Sequence, residues 1–110
     1  MIYKILRAPE LAAFVAAGET SGAPVDRSDG FIHFSTPEQA PETAARHFAG
    51  EDGLWLAACD PGALGDALRW EPSRGGALFP HLYGRLTRAD VAWIRPLPLD
   101  AGRHVFPILP

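Results

Sequence analysis

The sequence predicts a single α+β domain over residues 1–110, with two main helices gathered on one side of a largely antiparallel sheet. Three observations carry this. Strand and helix signals follow one another as β, α, β, α, β and then several further strands, an order that suits α+β architecture. Two short segments, residues 30–36 (GFIHFST) and 78–84 (LFPHLYG), each read as a strand with a histidine at its centre. Eleven glycines and eleven prolines cut the chain into short elements, and no repeat, low-complexity tract or linker divides it. A chain of this length buries roughly two-thirds of its unfolded surface. With 47% hydrophobic and 21% charged residues, wholesale disorder is excluded.

Each element has its own signal. Residues 2–6 form a short apolar strand. Pro9 suits the first turn of a helix, where its missing N–H costs nothing. Leu11, Phe14 and Val15 then make one apolar stripe, which Gly18 stops after about ten residues. Residues 18–30 are polar and turn-rich, with Ser28-Asp29-Gly30 the strongest turn signal, and a stretch this long without regular structure suggests a functional loop. After the His33 strand, Thr36-Pro37-Glu38-Gln39 has the pattern of a capping box. Pro41 would remove a backbone bond inside that helix, so the helix restarts there with Glu42 in its first turn. Ala44, Ala45 and Phe48 supply its apolar stripe, and Gly50 ends it.

The run Leu54 to Cys59 is continuously apolar and fits a strand buried on both faces, closed by Asp60-Pro61-Gly62. Residues 68–71 read as a strand and 72–76 as a loop before the second histidine strand. Thr87 to Asp90 reads as one turn or a short helix. Residues 91–99 read as a strand whose Pro96 and Pro98 belong on a sheet edge. Residues 105–109 read as a last edge strand.

Composition narrows the function. The single cysteine, Cys59, cannot form an intramolecular disulfide, and Met1-Ile2-Tyr3-Lys4 lacks a basic region followed by a long apolar one, so a reducing cytoplasm is expected. No apolar run approaches the roughly 20 residues that cross a bilayer. A net charge of −3 offers no field for a polyanion, which favours a small ligand over long nucleic acid. Arg69, Arg74, Arg85 and Arg88 gather locally, either as a solvated charged face or as a seat for a compact anion such as phosphate.

The candidate chemistry follows from strand alternation. Phe31, His33 and Ser35 share one face of the first histidine strand, and Phe79, His81 and Tyr83 share one face of the second. If both faces line the same cleft, it holds two imidazoles, a phenol and a hydroxyl. Thr36 stands at a helix start, where free N–H groups favour an anion. An imidazole beside a phenol can stack on a flat ring while donating a hydrogen bond. Glu71, between Trp70 and Pro72, is the carboxylate whose pKa desolvation would raise toward general-base use; pairing with Arg69 or Arg74 is the structural alternative. Arg74-Gly75-Gly76 can bring N–H groups and a guanidinium to a phosphate, without the lysine and spacing of a P-loop. His33, His47, His81, His104 and Cys59 show no recognised metal-ligand spacing, so no metal is expected. Cys59 reads as a buried small hydrophobe. Packing roles for His33 and His81 stay open beside the functional ones.

Met1-Ile2-Tyr3-Lys4-Ile5, residues 29–36 and residues 78–84 together resemble the bacterial domain-of-unknown-function family DUF952, over nearly the whole chain. That family is similar in layout to the ADP-ribosyltransferase fold, a split β-sheet that grips NAD in a central cleft. More narrowly, His33-Phe34-Ser35-Thr36, then Thr43-Ala44-Ala45-Arg46-His47, then the strand at Leu54 to Cys59 resemble the NAD-dependent RNA 2′-phosphotransferases. Tyr3-Lys4-Ile5 stands where those enzymes carry a His-Gly pair. The resemblance implies an ADP-ribosyltransferase-like domain with NAD or another ADP-ribose-bearing nucleotide as cofactor or substrate. By that resemblance His33 would touch the ribose, Ser35 would support it, and His81 with Tyr83 would form the opposite wall. The residues' own chemistry adds Glu71 to His33, His81 and Tyr83 as catalytic candidates, and Thr36 and Arg74 to Ser35 for holding the nucleotide. The alternative is a noncatalytic module that binds a small ligand or a protein.

Overall fold

Two three-stranded antiparallel sheets, tied together at one backbone bridge, organise the chain. The computed structural model describes residues 1–109, and the side chain of Arg74 lies outside the description. In chain order the elements begin with β1 (Ile2–Leu6), α1 (Ala8–Ala17), β2 (Glu19–Thr20), α2 (Pro24–Asp29), β3 (Ile32–His33), α3 (Ala40–His47) and β4 (Leu54–Cys59). They continue with α4 (Pro61–Leu64), β5 (Leu68–Ser73), β6 (Ala77–Leu82), β7 (Leu86–Thr87), β8 (Val91–Leu97), β9 (Leu99–Asp100) and β10 (Arg103–His104). The chain is thus one α+β domain with antiparallel sheets and few helices.

The first sheet has the order β1-β4-β8. Every residue of β1 is buried, as is all of β4 except half-buried Trp55, so this sheet needs a cover on both faces. Phe14 of α1 covers one face, packing with Ile2, Cys59, Ile32, Phe34, Leu82 and Leu86. Ala44 of α3 covers the other, with Tyr3, Ile5, Leu54, Leu56, Ala58 and Leu97. The two main helices therefore lie on opposite faces, which corrects the expectation of one side. Alternation explains it: Ile2 and Tyr3 point opposite ways, and both are apolar.

The second sheet has the order β3-β6-β5. It meets the first where Tyr3 N–H donates to Ser35 O at 2.8 Å and Ser35 N–H donates to Tyr3 O at 2.9 Å. This bridge fixes where β1 runs past the end of β3.

Most elements lie where their signals place them. Thr36 N–H donates to Gln39 Oε1 and Gln39 N–H to Thr36 Oγ1, so the capping box forms one turn before α3, and Pro41 falls in the first turn of that helix. β8 is an edge strand that accommodates Pro96, and β5 is an edge strand that runs through Pro72, two residues further than expected. Three expectations are corrected. Val15 of the predicted stripe is exposed, and Phe14 is the buried residue of α1. Residues 18–30 carry β2 and α2 in place of a structureless loop. Residues 105–109 form no strand: the C-terminal hairpin is β9–β10, and Phe106 and Leu109 instead pack against the Tyr3 and Leu54 cluster.

Candidate functional site

The β3–β6 register sets His33 directly opposite His81, and their rings meet edge to face with centroids 5.4 Å apart. Phe31 lies against both. Its ring stacks on His81 at 4.1 Å and reaches His33 at 4.6 Å and Tyr83 at 5.2 Å. The face-sharing expected from alternation is therefore realised, although β3 itself is only two residues long and Tyr83 lies just past the end of β6.

The β5–β6 register brings Glu71 to this cluster. Its Oε1 lies 2.8 Å from His81 Nδ1 and accepts a hydrogen bond from the Tyr83 hydroxyl, also at 2.8 Å. The hydrogen bond from His81, then that from Tyr83, holds the Glu71 carboxyl below its ordinary pKa. This corrects the expected upward shift. Trp70 and Pro72 point to the opposite face of the strand, because neighbouring side chains alternate, and what burial Glu71 has is outweighed by its two hydrogen bonds. The same hydrogen bond raises the Tyr83 phenol. Arg69, one of the two arginines offered as a partner for Glu71, lies over the Tyr83 ring at 5.0 Å, and its charge adds to the lowering of Glu71.

His33 is held by two residues that the sequence reading missed. Asp26 of α2 is fully buried; its Oδ2 accepts from Lys4 Nζ at 2.7 Å and from Ala23 N–H at 2.7 Å. Its Oδ1 accepts from His33 N–H at 3.1 Å and lies 2.5 Å from His33 Nδ1. Burial pushes the Asp26 pKa up, but the hydrogen bond with His33, the charge of Lys4 and the remaining donors outweigh it and hold the group at about 2. Asp29, at the end of the same helix, places Oδ2 3.0 Å from His33 Nε2. A neutral imidazole carries one N–H, so only the imidazolium donates to both carboxylates. Gly30 permits this arrangement: its φ of 87° closes α2 and turns the chain straight into β3.

Two signals could have found Asp26. A lysine inside the otherwise apolar strand Ile2–Leu6 needs a buried counter-charge. Asp26 and Asp29 are spaced i, i+3, which puts both on one face once residues 24–29 are read as helical.

The remaining candidates divide. Ser35 is buried on the wall of the site, and its Oγ lies 2.9 Å from Thr43 Oγ1. Thr36 is not on that wall; its N–H goes to Gln39, so the helix start offers it to no anion. The backbone of Arg74 forms a turn over Arg74–Gly76, but its side chain lies outside the described residues. Arg85 pairs with Glu19 and Arg69 lies over Tyr83, so these two of the four clustered arginines make separate contacts. Cys59 is buried, with burial and then Asp90 pushing its thiol up to about 12, as befits a packing residue.

A cleft of about 920 Å³ opens beside the bridge between the two sheets. Lys4, Asp26, Asp29, His33, Ser35 and His81 line one part of its wall, and Arg7 with Arg46 and His47 of α3 add basic groups. Glu71 and Tyr83 are off the wall and act on it through His81. Arg7 is held by Glu51 at 2.8 Å and Arg46 by Glu42 at 2.9 Å. The wall thus combines imidazole rings, hydroxyls and ion-paired basic groups. Among the described residues, no helix is long and apolar enough to cross a membrane.

A family model described as a protein of unknown function, DUF952, matches residues 5–94. Among solved structures, the X-ray crystal structure of protein CC0527 from Caulobacter crescentus matches with a TM-score of 0.91 at 50% identity, over 94% of this chain and 92% of that one. A double mutant of the same protein gives 0.91 at 48% identity, over the same shares of the two chains. Its solution NMR structure gives 0.82 at 50% identity, over 94% and 89%. No curated protein matches.

Proposed function

This chain belongs to the DUF952 family of proteins of unknown function, and we propose that its cleft binds a small nucleotide of the NAD or ADP-ribose class, in the manner of an ADP-ribosyltransferase-like fold. The observation that carries the reading is the His33–His81 pair: two imidazoles in cross-strand register, each pinned by its own carboxylate, on the wall of one cleft. A cleft of about 920 Å³ falls within the range of roughly 300–1,000 Å³ usual for cofactor-sized ligands.

The residues present fit such a ligand. Arg7 and Arg46, held by Glu51 and Glu42, are the wall cations a pyrophosphate would compete for, and Ser35 and Thr43 bring hydroxyls for a ribose. NAD, when bound, supplies an ADP-ribosyl group by loss of nicotinamide. Toward that chemistry, Glu71 is an ionised carboxylate held by two donors, suited to stabilising positive charge near His81 and unsuited to taking a proton. A recognition role without turnover is the second reading. It is favoured by His33, whose ring nitrogens both face carboxylates, so that no basic lone pair points at a ligand.

Thermal unfolding of the wild type and of a His33→Ala, His81→Ala double variant tests the proposal, each with NAD, ADP-ribose, AMP or nicotinamide. Occupancy at one hundred times the dissociation constant adds about 2.7 kcal/mol of stability. A rise in midpoint with NAD or ADP-ribose in the wild type, lost in the folded double variant, is expected. No rise with any of the four sinks the nucleotide reading. Nicotinamide release from NAD then separates the transferase or hydrolase form from the binding module.

A further inference from the structure

We infer that Asp29 holds the anion position of the cleft: its carboxylate sits on His33 Nε2 where a phosphate group of the ligand binds, and ligand entry displaces it. This deepens the reading above, since it takes the cleft to be a ligand site. It goes beyond that reading by assigning His33 to a phosphate and by making Asp29 the residue that discriminates charged from uncharged ligands.

The two carboxylates on His33 are not equivalent. Asp26 is sealed in, with its oxygens engaged by Lys4, two backbone N–H groups and the ring. It cannot leave without exposing a buried ion pair. Asp29 is 45% exposed, and among the described residues His33 is its ion-pair partner. Exposed ion pairs contribute little, because water solvates both partners well. Asp29 is also the last residue of α2, ahead of Gly30, so its side chain can rotate away without disturbing the helix.

The replacement that fits is an oxyanion. When the ring carries both protons, Nε2 donates to whatever stands at the Asp29 position, and the Asp26 contact at Nδ1 keeps the ring from turning. Lys4, Arg7 and Arg46 on the same wall are each paired with a carboxylate, Asp26, Glu51 and Glu42 in turn, whereas Asp29 faces the His33 ring. Swinging Asp29 out removes a negative charge from the place an oxyanion would occupy, whereas an uncharged ligand gains nothing from that change. Asp29 therefore costs affinity for phosphate-bearing ligands specifically.

Calorimetric binding tests this with inorganic phosphate, pyrophosphate, ADP-ribose and uncharged adenosine. The proteins are wild type, Asp29→Asn, Asp29→Ala and Asp29→Asn/His33→Gln, each first shown to be folded by its ligand-free melting curve. Both single variants are expected to bind the phosphate-bearing ligands about tenfold more tightly than wild type, equivalent to about 1.4 kcal/mol, with adenosine unchanged and the gain abolished when His33 is also replaced. Added phosphate is further expected to shift the His33 Nε2 resonance in the Asp29→Asn variant. The inference is overturned by an equal gain for adenosine, by a gain that survives loss of His33, or by no phosphate or pyrophosphate binding in either folded variant. Tight ADP-ribose binding that Asp29→Asn leaves unchanged overturns it while the nucleotide reading stands. His33-dependent pyrophosphate binding without ADP-ribose binding does the reverse.

Discussion

Lys4 Nζ lies 2.7 Å from Asp26 Oδ2, and both side chains are buried, so an ion pair from β1 and α2 stands behind the ring of His33. Breaking such a pair leaves one uncompensated charge in a dry place. Either Lys4→Met or Asp26→Asn alone is expected to cost about 3–5 kcal/mol. The combined Lys4→Met, Asp26→Leu variant is expected to cost clearly less than the sum of the single changes. Urea unfolding of the three variants measures this, and strict additivity would show that the pair is not coupled.

Acid should unfold the protein partly through Asp26. Its pKa is depressed from the ordinary 3.8 to about 2 in the folded chain. The unfolded state therefore binds the proton first, and the stability this group contributes is fully present above its unfolded pKa. It is lost as pH falls from 3.8 through about 2, to a total of about 2 kcal/mol. Stability measured against pH in that window should fall less steeply in Asp26→Asn than in wild type. Parallel slopes would refute the assignment.

Gly22 is a stability position because of the same carboxylate. It sits at a φ of 96°, and a Cβ there would overlap the Asp26 side chain, which cannot retreat without releasing Lys4 and Ala23 N–H. Gly22→Ala is expected to cost about 2 kcal/mol or more, from the left-handed backbone and the overlap together. Gly50→Ala, at a φ of 74° with nothing within 4 Å of the added methyl, is the control that carries the backbone cost alone. Equal losses in the two would show that no overlap occurs.

Tyr83 reports on Glu71. The phenol is raised from its ordinary 10.0 chiefly by its hydrogen bond to that carboxylate. In Glu71→Gln the negative partner is gone, so Tyr83 should titrate at lower pH than in wild type when followed by tyrosinate absorbance. An unchanged titration would mean that the hydrogen bond does not persist in solution.

Local signals were enough wherever one residue's environment is set by its immediate neighbours in the chain. The continuous run Leu54–Cys59 announced a strand covered on both faces, and Pro96 announced an edge. Thr36 and Gln39 announced their mutual cap. The i, i+2 spacing within residues 30–36 and 78–84 announced which side chains share a face. Where the outcome depended on a distant partner, local reading erred. Glu71 looked desolvated beside Trp70, yet its pKa is set by His81 and Tyr83, ten and twelve residues away. Residues 18–30 looked like a loop because α2 is short and polar; its order comes from Asp26 reaching Lys4, twenty-two residues back.

The amino-acid order alone determined that this is an α+β domain with two histidine-bearing strands, because periodicity and turn chemistry act over a few residues. That His33 faces His81, that Asp26 and Asp29 bracket one ring while Glu71 holds the other, and that α1 and α3 cover opposite faces were decided only by the assembled structure. Strand register and the burial of Lys4 are properties of the whole packed chain: a one-residue slip between β3 and β6 would turn the imidazoles to opposite faces of the sheet, and the Asp26 carboxylate finds its cations only after α2 docks on β1.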